Sequence, residues 1–307
     1  MRTLSIAAIQ TNAVAGDLDA TWQRFAAQVR AVVAMRPHVD LVVVPELLLA
    51  APGPLLLDDP QFDERAATSI PGPVTDRLVD LARELGVWLV PGSLVERDDD
   101  GRLFNTAVAI SPEGEIVARY RKLFPWRPYE ALEPGSDFVT FDIPGRGRVG
   151  LAICFDGSFP EVARQLAWLG ADVIIQPTLT TTRDREMEVV MSRANAFANQ
   201  VFVVNVNGAS PSGVGESVLV DPEGTIMQHA GEGEEVLFGV LDLDRVQLVR
   251  EHGTFGLNRP WSQLADQCAL VRYPMFGGAL FHAPAWATAG RQPAAERQPA
   301  AERVPVA

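Results

Sequence analysis

Short, almost wholly apolar runs recur along the chain: LSIAAIQ, DLVVVPE, VWLVPGS, VGLAIC, DVIIQPT and VFVVNVN. Runs of this length, rich in Val and Ile and without polar alternation, suit strands buried on both faces. Helix-like segments lie between them at residues 18–35, 73–85, 160–169 and 186–199. Strands and helices in alternation predict an α/β layered protein.

The pattern echoes itself. VRAVVAMRPHVDLVVVPE (29–46) and EVARQLAWLGADVIIQPT (161–178) share a helix, a short break, an aspartate, an apolar strand and a proline near its end. ISPEGEIV (110–117) returns as VDPEGTIM (220–227), each with the Pro and Gly of a tight turn. Two similar halves packed face to face are therefore expected. The pattern stops near residue 284, where RQPAAERQPAAERV is a low-complexity repeat with too little apolar content to bury. The expected organisation is one folded domain over residues 1–283 and a disordered tail over 284–307.

Composition narrows the function classes. The 307 residues are 47% hydrophobic and 21% charged, as in a folded soluble protein. A net charge of -13 argues against a nucleic-acid partner, which needs a basic face. Asp58-Asp59 and Asp98-Asp99-Asp100 read as solvated loops, because no convergent ligand spacing accompanies them. His38, His229, His252 and His282 are scattered, so no metal site is expected. No apolar run has the length of a membrane span, the N-terminus does not read as a signal peptide, and two cysteines make no disulfide framework. The expected location is the cytoplasm.

One cysteine has an unusual setting. Cys154 closes the run RVGLAIC, the chain turns through DGS, and Ser158-Phe159-Pro160-Glu161 reads as a capping box opening a helix. Sites in open α/β sheets form at the carboxyl ends of strands, and a nearby helix N-terminus favours a thiolate. The Phe155 N–H is placed to meet an oxyanion, and Asp156 is expected to anchor the turn through backbone hydrogen bonds. An isolated cysteine at a strand end is more often inert core, so Cys154 needs partners. Two other strand ends offer them. Glu46 follows LVVVP, where burial raises a carboxylate's pKa and makes it a better base. Lys122 ends EIVARYRK on the face of Ile116, Ala118 and Tyr120, while Arg119 and Arg121 take the other face.

With these residues in view, the sequence resembles the nitrilase (carbon–nitrogen hydrolase) superfamily over roughly residues 3–250. The motifs are VVVPE with Glu46, YRKLFPW with Lys122 and ICFDGSFPE with Cys154, in that order. The resemblance implies a four-layer αββα sandwich, a Glu46–Lys122–Cys154 triad, no metal or organic cofactor, and a homo-oligomer. Phe155-Asp156 after the cysteine follows the amidase style, and KLFPWRPYEALEPGSDF is locally similar to aliphatic amidases and formamidases. This segment places a positioning glutamate on Glu130, with Glu133 as the alternative. It departs from the aliphatic amidase pattern in having Ala131-Leu132 where an aromatic follows. Trp126, Phe155 and Thr178 are candidate pocket walls, and loops 47–61, 126–133 and 179–185 are the expected seat of specificity. The expected activity is hydrolysis of a small primary amide, aliphatic or ω-, to carboxylate and ammonia. N-carbamoyl compounds or nitriles on the same site are the enzymatic alternative. A binding protein on a decayed hydrolase fold is the alternative of another class.

Overall fold

The computed structural model describes residues 1–52, 62–267, 271–273 and 278–279. The tail from 284, the Asp58-Asp59 pair, most of loop 47–61, Cys268 and the expected domain edge at 283 lie outside them. The chain divides into two compact units, Met1–Arg259 and Pro260–Ala307. The second contains a helix at Pro260–Gln267 and a short hairpin, Arg272–Tyr273 with Gly278–Ala279.

The first unit runs β1 (Thr3–Gln10), α1 (Leu18–Met35), β2 (Leu41–Val43), α2 (Phe62–Ala66), α3 (Pro73–Leu85), β3 (Trp88–Val90), β4 (Ser93–Arg97), β5 (Leu103–Ile110) and β6 (Ile116–Arg121). It continues with β7 (Thr140–Ile143), β8 (Gly147–Leu151), α4 (Pro160–Trp168), β9 (Val173–Pro177), α5 (Arg185–Asn199), β10 (Phe202–Val206), β11 (Val218–Val220), β12 (Ile226–His229), β13 (Glu235–Asp242) and α6 (Leu243–His252). One sheet has the order β13-β1-β2-β3-β5-β4, with β6 also on β5. The other has the order β12-β11-β10-β9-β8-β7. Each is built around three parallel strands, β1-β2-β3 and β8-β9-β10.

Alternation along the strands explains the layering. Leu4 and Ile6 of β1 and Leu41 and Val43 of β2 enter a common core with Val173, Ile175, Val204 and Val206 of the second sheet. Their neighbours Ala7, Ile9 and Val42 face the other way, onto Phe25 and Val29 of α1 and Leu78 and Leu81 of α3. Across the molecule Leu166 of α4 lies over Gly150 of β8, where an added Cβ would stand only 3.1 Å away. The order is thus helix, sheet, sheet, helix, the expected αββα sandwich. Each fully buried aliphatic side chain here contributes about 1.5–3 kcal/mol.

The internal echo is real at the level of backbone geometry. The β5–β6 and β11–β12 turns close with the same bonds, Ser111 N–H to Glu115 O and Asp221 N–H to Thr225 O, both at 2.9 Å. Gly114 and Gly224 take φ of 79° and 78°, a conformation a side chain would strain. Both hairpins also carry a register shift, at Ala109/Ile110 and at Leu219/Val220.

One local expectation is corrected. Ser158 does not cap α4. The chain instead makes a 3-10 turn over Cys154–Ser158, and Phe159 becomes the extended residue before Pro160, with no side-chain cap. The Phe159 ring stacks on Phe124 at 3.7 Å between centroids and meets Phe155 edge-on at 5.3 Å. Aromatic packing, rather than a hydroxyl, sets the entry to this helix.

Candidate active site

Three strand ends converge at one end of the sandwich. Glu46 lies three residues past β2, Lys122 directly after β6, and Cys154 three residues past β8. The chain cannot continue its ladder at Pro45, and after Glu46 it turns sharply, with Leu47 in the left-handed region at φ 53°. The Glu46 N–H donates to the Thr178 carbonyl of the second sheet at 3.3 Å. Cys154 is itself left-handed, at φ 46°. A non-glycine residue is held there only by its surroundings. Gln176 Nε2 donates to the Cys154 carbonyl at 2.8 Å. Asp156 accepts from Ile153 N–H at 2.9 Å, Tyr120 O–H at 2.6 Å and Phe124 N–H at 2.9 Å. Asp156 thus anchors the elbow through backbone bonds, and through Tyr120 it ties the elbow to β6.

The Lys122 ammonium stands between two carboxylates, 3.0 Å from Glu46 Oε1 and 2.7 Å from Glu130 Oε2. Glu130 reaches it because the 126–132 segment folds back on itself. Glu130 N–H donates to the Trp126 carbonyl, Trp126 N–H donates to Glu130 Oε2 at 2.9 Å, and Arg127 holds the Glu130 and Leu132 carbonyls. Glu133 is exposed, and its N–H pairs with the Leu103 carbonyl. Glu46 Oε2 accepts the Leu179 N–H at 2.8 Å. The Cys154 thiol lies within interaction reach of both Glu46 and the Leu179 N–H, and each bears on its pKa.

Burial dominates the electrostatics. It lifts the Glu46 carboxyl above its ordinary value, with Lys122 opposing and Glu130 adding to the rise. It also lifts the Cys154 thiol well above the ordinary range, helped by the Glu46 charge and resisted by Lys122. For Lys122, burial alone would favour the neutral amine, but the charges of Glu46, Cys154 and Glu130 outweigh it and its pKa is raised well above normal. Glu130, also buried, is held below its usual value by Lys122. The site thus sets a thiol whose proton is held more tightly than usual beside a more basic carboxyl and an ammonium that keeps its charge.

The pocket-wall candidates fare differently in position. Trp126 is half-buried, packs its ring on Tyr129 at 4.6 Å and gives its N–H to Glu130. Phe155 is half-buried on the 3-10 turn. Thr178 is fully buried, its hydroxyl donating to the Gln176 carbonyl at 3.3 Å.

Two groups were not singled out by sequence reasoning. Asn105 of β5 is fully buried, and its Nδ2 donates to Glu46 Oε1 at 2.8 Å and to Glu130 Oε1 at 2.9 Å. The available signal was an amide on the apolar face of LFNTAVAI, two residues before Ala107. Thr180, Arg185 and Glu188 form the second group. The Thr180 hydroxyl and the buried Arg185 guanidinium both donate to the Glu188 carboxylate at 2.8 Å. Seven residues on from Glu188, Asn195 Nδ2 donates to the Gly157 carbonyl of the elbow.

Residues 5–251 match the sequence pattern of the carbon–nitrogen hydrolase family. A formamidase of Bacillus cereus is 31% identical over 263 residues, covering 83% of this chain and 71% of the relative. Among solved structures, Nit3 of Saccharomyces cerevisiae, a member of branch 10 of the nitrilase superfamily, superposes with a TM-score of 0.73 at 29% identity, over 81% of this chain and 94% of that one. A cysteine-to-alanine mutant of an amidase from Nesterenkonia sp. AN1, solved in complex with butyramide, gives 0.68 at 25% identity, over 81% and 94%.

Proposed function

The chain belongs to the carbon–nitrogen hydrolase family, and from that membership and the geometry of its site we propose that it hydrolyses a small primary amide through a Cys154 thioester. One observation carries the reading: Glu46 accepts from Lys122 Nζ at 3.0 Å and lies close enough to the Cys154 thiol for each to shift the other's pKa. Glu46 takes the thiol proton as sulfur attacks the amide carbon. Lys122 and the Phe155 N–H stabilise the oxyanion, and Glu130 orients the amide. The C–N bond then breaks and Glu46 returns its proton to the leaving nitrogen, which departs as ammonia. A water gives a proton to Glu46 and attacks the thioester carbon. The C–S bond breaks, the carboxylate leaves and the thiol recovers its proton. The formamidase and the butyramide-bound amidase support short acyl groups for this chain.

The test is ammonia release from a panel of primary amides, with Cys154→Ser as control. A loss of at least about a thousandfold in kcat is expected; undiminished turnover by that variant would sink the mechanism. Carbon dioxide formed alongside ammonia would move the substrate to N-carbamoyl compounds, and turnover of nitriles would move it there. Alkylation of Cys154 no faster than of Cys268 would favour a binding protein. A cytoplasmic homo-oligomer completes the reading. Met187, Val190 and Phe197 expose apolar surface along α5, which supports pairing through that helix. Light scattering of the purified chain checks it.

A further inference from the structure

We propose that Asn105 is a positioning residue for both carboxylates: it turns Glu46 Oε2 toward the Cys154 sulfur and keeps Glu46 and Glu130 from sharing a proton. The first part follows from which atoms are occupied. Glu46 Oε1 already accepts from Asn105 Nδ2 at 2.8 Å and from Lys122 Nζ at 3.0 Å. Glu46 Oε2 accepts only the Leu179 N–H, at 2.8 Å, among the described hydrogen bonds. The oxygen free to take the thiol proton is therefore Oε2. A rotation of the carboxylate that withdrew it would break two bonds at Oε1.

The second part follows from the like charges. Two buried carboxylates that approach one ammonium tend to share a proton between them, as coupled acids do. An ionised carboxylate accepts and cannot donate, so an amide NH2 between two of them has one hydrogen for each. Nδ2 lies at 2.8 Å and 2.9 Å from the two Oε1 atoms, which uses both hydrogens. This also fixes the amide's orientation, because the reverse would set its oxygen against two anions. The cost is visible on the other side: Asn105 Oδ1 is buried and accepts no hydrogen bond among the described residues. Strand pairing does not depend on this side chain, since Asn105 is tied to β6 by its backbone carbonyl, which accepts the Lys122 N–H at 2.8 Å.

The inference rests on the Glu46–Cys154 reading, so its test separates the two. Asn105→Asp is isosteric and replaces the NH2 donor by an acceptor; Asn105→Ser leaves one donor too short for both carboxylates. Each variant, with the unmodified enzyme, is assayed for kcat and KM across pH, and its Cys154 is alkylated with iodoacetamide over the same range. Loss of the shared donor should move the acid limbs of kcat and of alkylation to higher pH by about one unit or more. kcat should fall about 10- to 100-fold, with KM changing far less. Limbs that superpose on the unmodified enzyme, or a loss confined to KM, overturn the proposal. If Asn105→Asp does not fold, the Asn105→Ser profile alone decides by the same criterion. Undiminished turnover by the Cys154→Ser variant would instead overturn the underlying mechanism, an outcome the Asn105 variants cannot imitate.

Discussion

Lys122 stands closer to Glu130, at 2.7 Å, than to Glu46, at 3.0 Å. The ammonium therefore neutralises Glu130 more tightly and leaves Glu46 the more basic of the two. Lys122→Met would strand two carboxylates in a buried space. Breaking a buried pair by removing one partner costs about 3–5 kcal/mol. The carboxyls of the variant would bind protons more tightly when folded, so its deficit should shrink as pH falls. Urea unfolding at pH 5 and pH 7.5 measures this; a deficit independent of pH would contradict it.

Glu46 must be ionised to accept the thiol proton, and burial raises its pKa. Activity should therefore fall with acidification through a limb above the ordinary glutamate range of about 4.3. The limb should persist in a low-activity Glu130→Gln variant. A limb at or below that ordinary value would remove Glu46 from the role of base.

Asp156 offers a pH test of stability rather than rate. Burial lifts its carboxyl to about 6, against an ordinary 3.8, although Lys122 and the Tyr120 hydroxyl pull the other way. A carboxyl whose folded pKa lies above its unfolded value holds its proton better when folded. Its contribution is thus greatest at low pH and declines as pH rises from about 4 to 6, by about 3 kcal/mol. The difference in unfolding free energy between the unmodified chain and Asp156→Asn should carry that slope. A flat difference across the window would rule it out.

The Glu188 charge is one of the influences that raise the Cys154 pKa. Glu188→Gln should lower it and speed alkylation of Cys154 at fixed pH a few-fold, whereas Thr180→Val, which changes no charge, should have a smaller effect. Equal rates in Glu188→Gln and the unmodified chain would place the carboxylate out of electrostatic reach.

Gly157 sits under the elbow, where a methyl group would overlap Gln176 Nε2. That amide holds the Cys154 carbonyl at 2.8 Å. Gly157→Ala should dislodge it, relax the left-handed Cys154 and lower kcat by about tenfold or more. Near-normal kcat would mean that Asp156 and Asn195 hold the elbow without the Gln176 bond.

The parts of this site that could be read from sequence were those where a strand ends in a residue that does not belong in a core. Glu46 after VVVP, Lys122 on the face of Ala118 and Tyr120, and Cys154 before a polar turn all break an otherwise apolar rule. Glu130 was accessible only through the likeness of its segment, because the fold-back that carries it to Lys122 depends on contacts made by Trp126 and Arg127. Asn105 gave no comparable signal: one amide inside a strand looks like a tolerated polar residue until its two carboxylate partners arrive from distant segments. The cap of the helix after Cys154 departs from expectation for a related reason. S-x-x-E is a local code, but the stacking of Phe159 on Phe124 is a tertiary one, and the tertiary contact set the boundary.

Cys154 hangs from one sheet, while Glu46, Lys122 and Asn105 hang from the other. The links that cross at that end include Glu46 N–H to Thr178, Leu179 N–H to Glu46, and Tyr120 O–H to Asp156. Turnover is thus a gauge of how the two slabs are seated. A slip of an ångström along their shared apolar seam would part sulfur from carboxylate while every strand and helix stayed intact. On gentle heating or in mild denaturant, catalysis should fade before the far-ultraviolet signal of the backbone does.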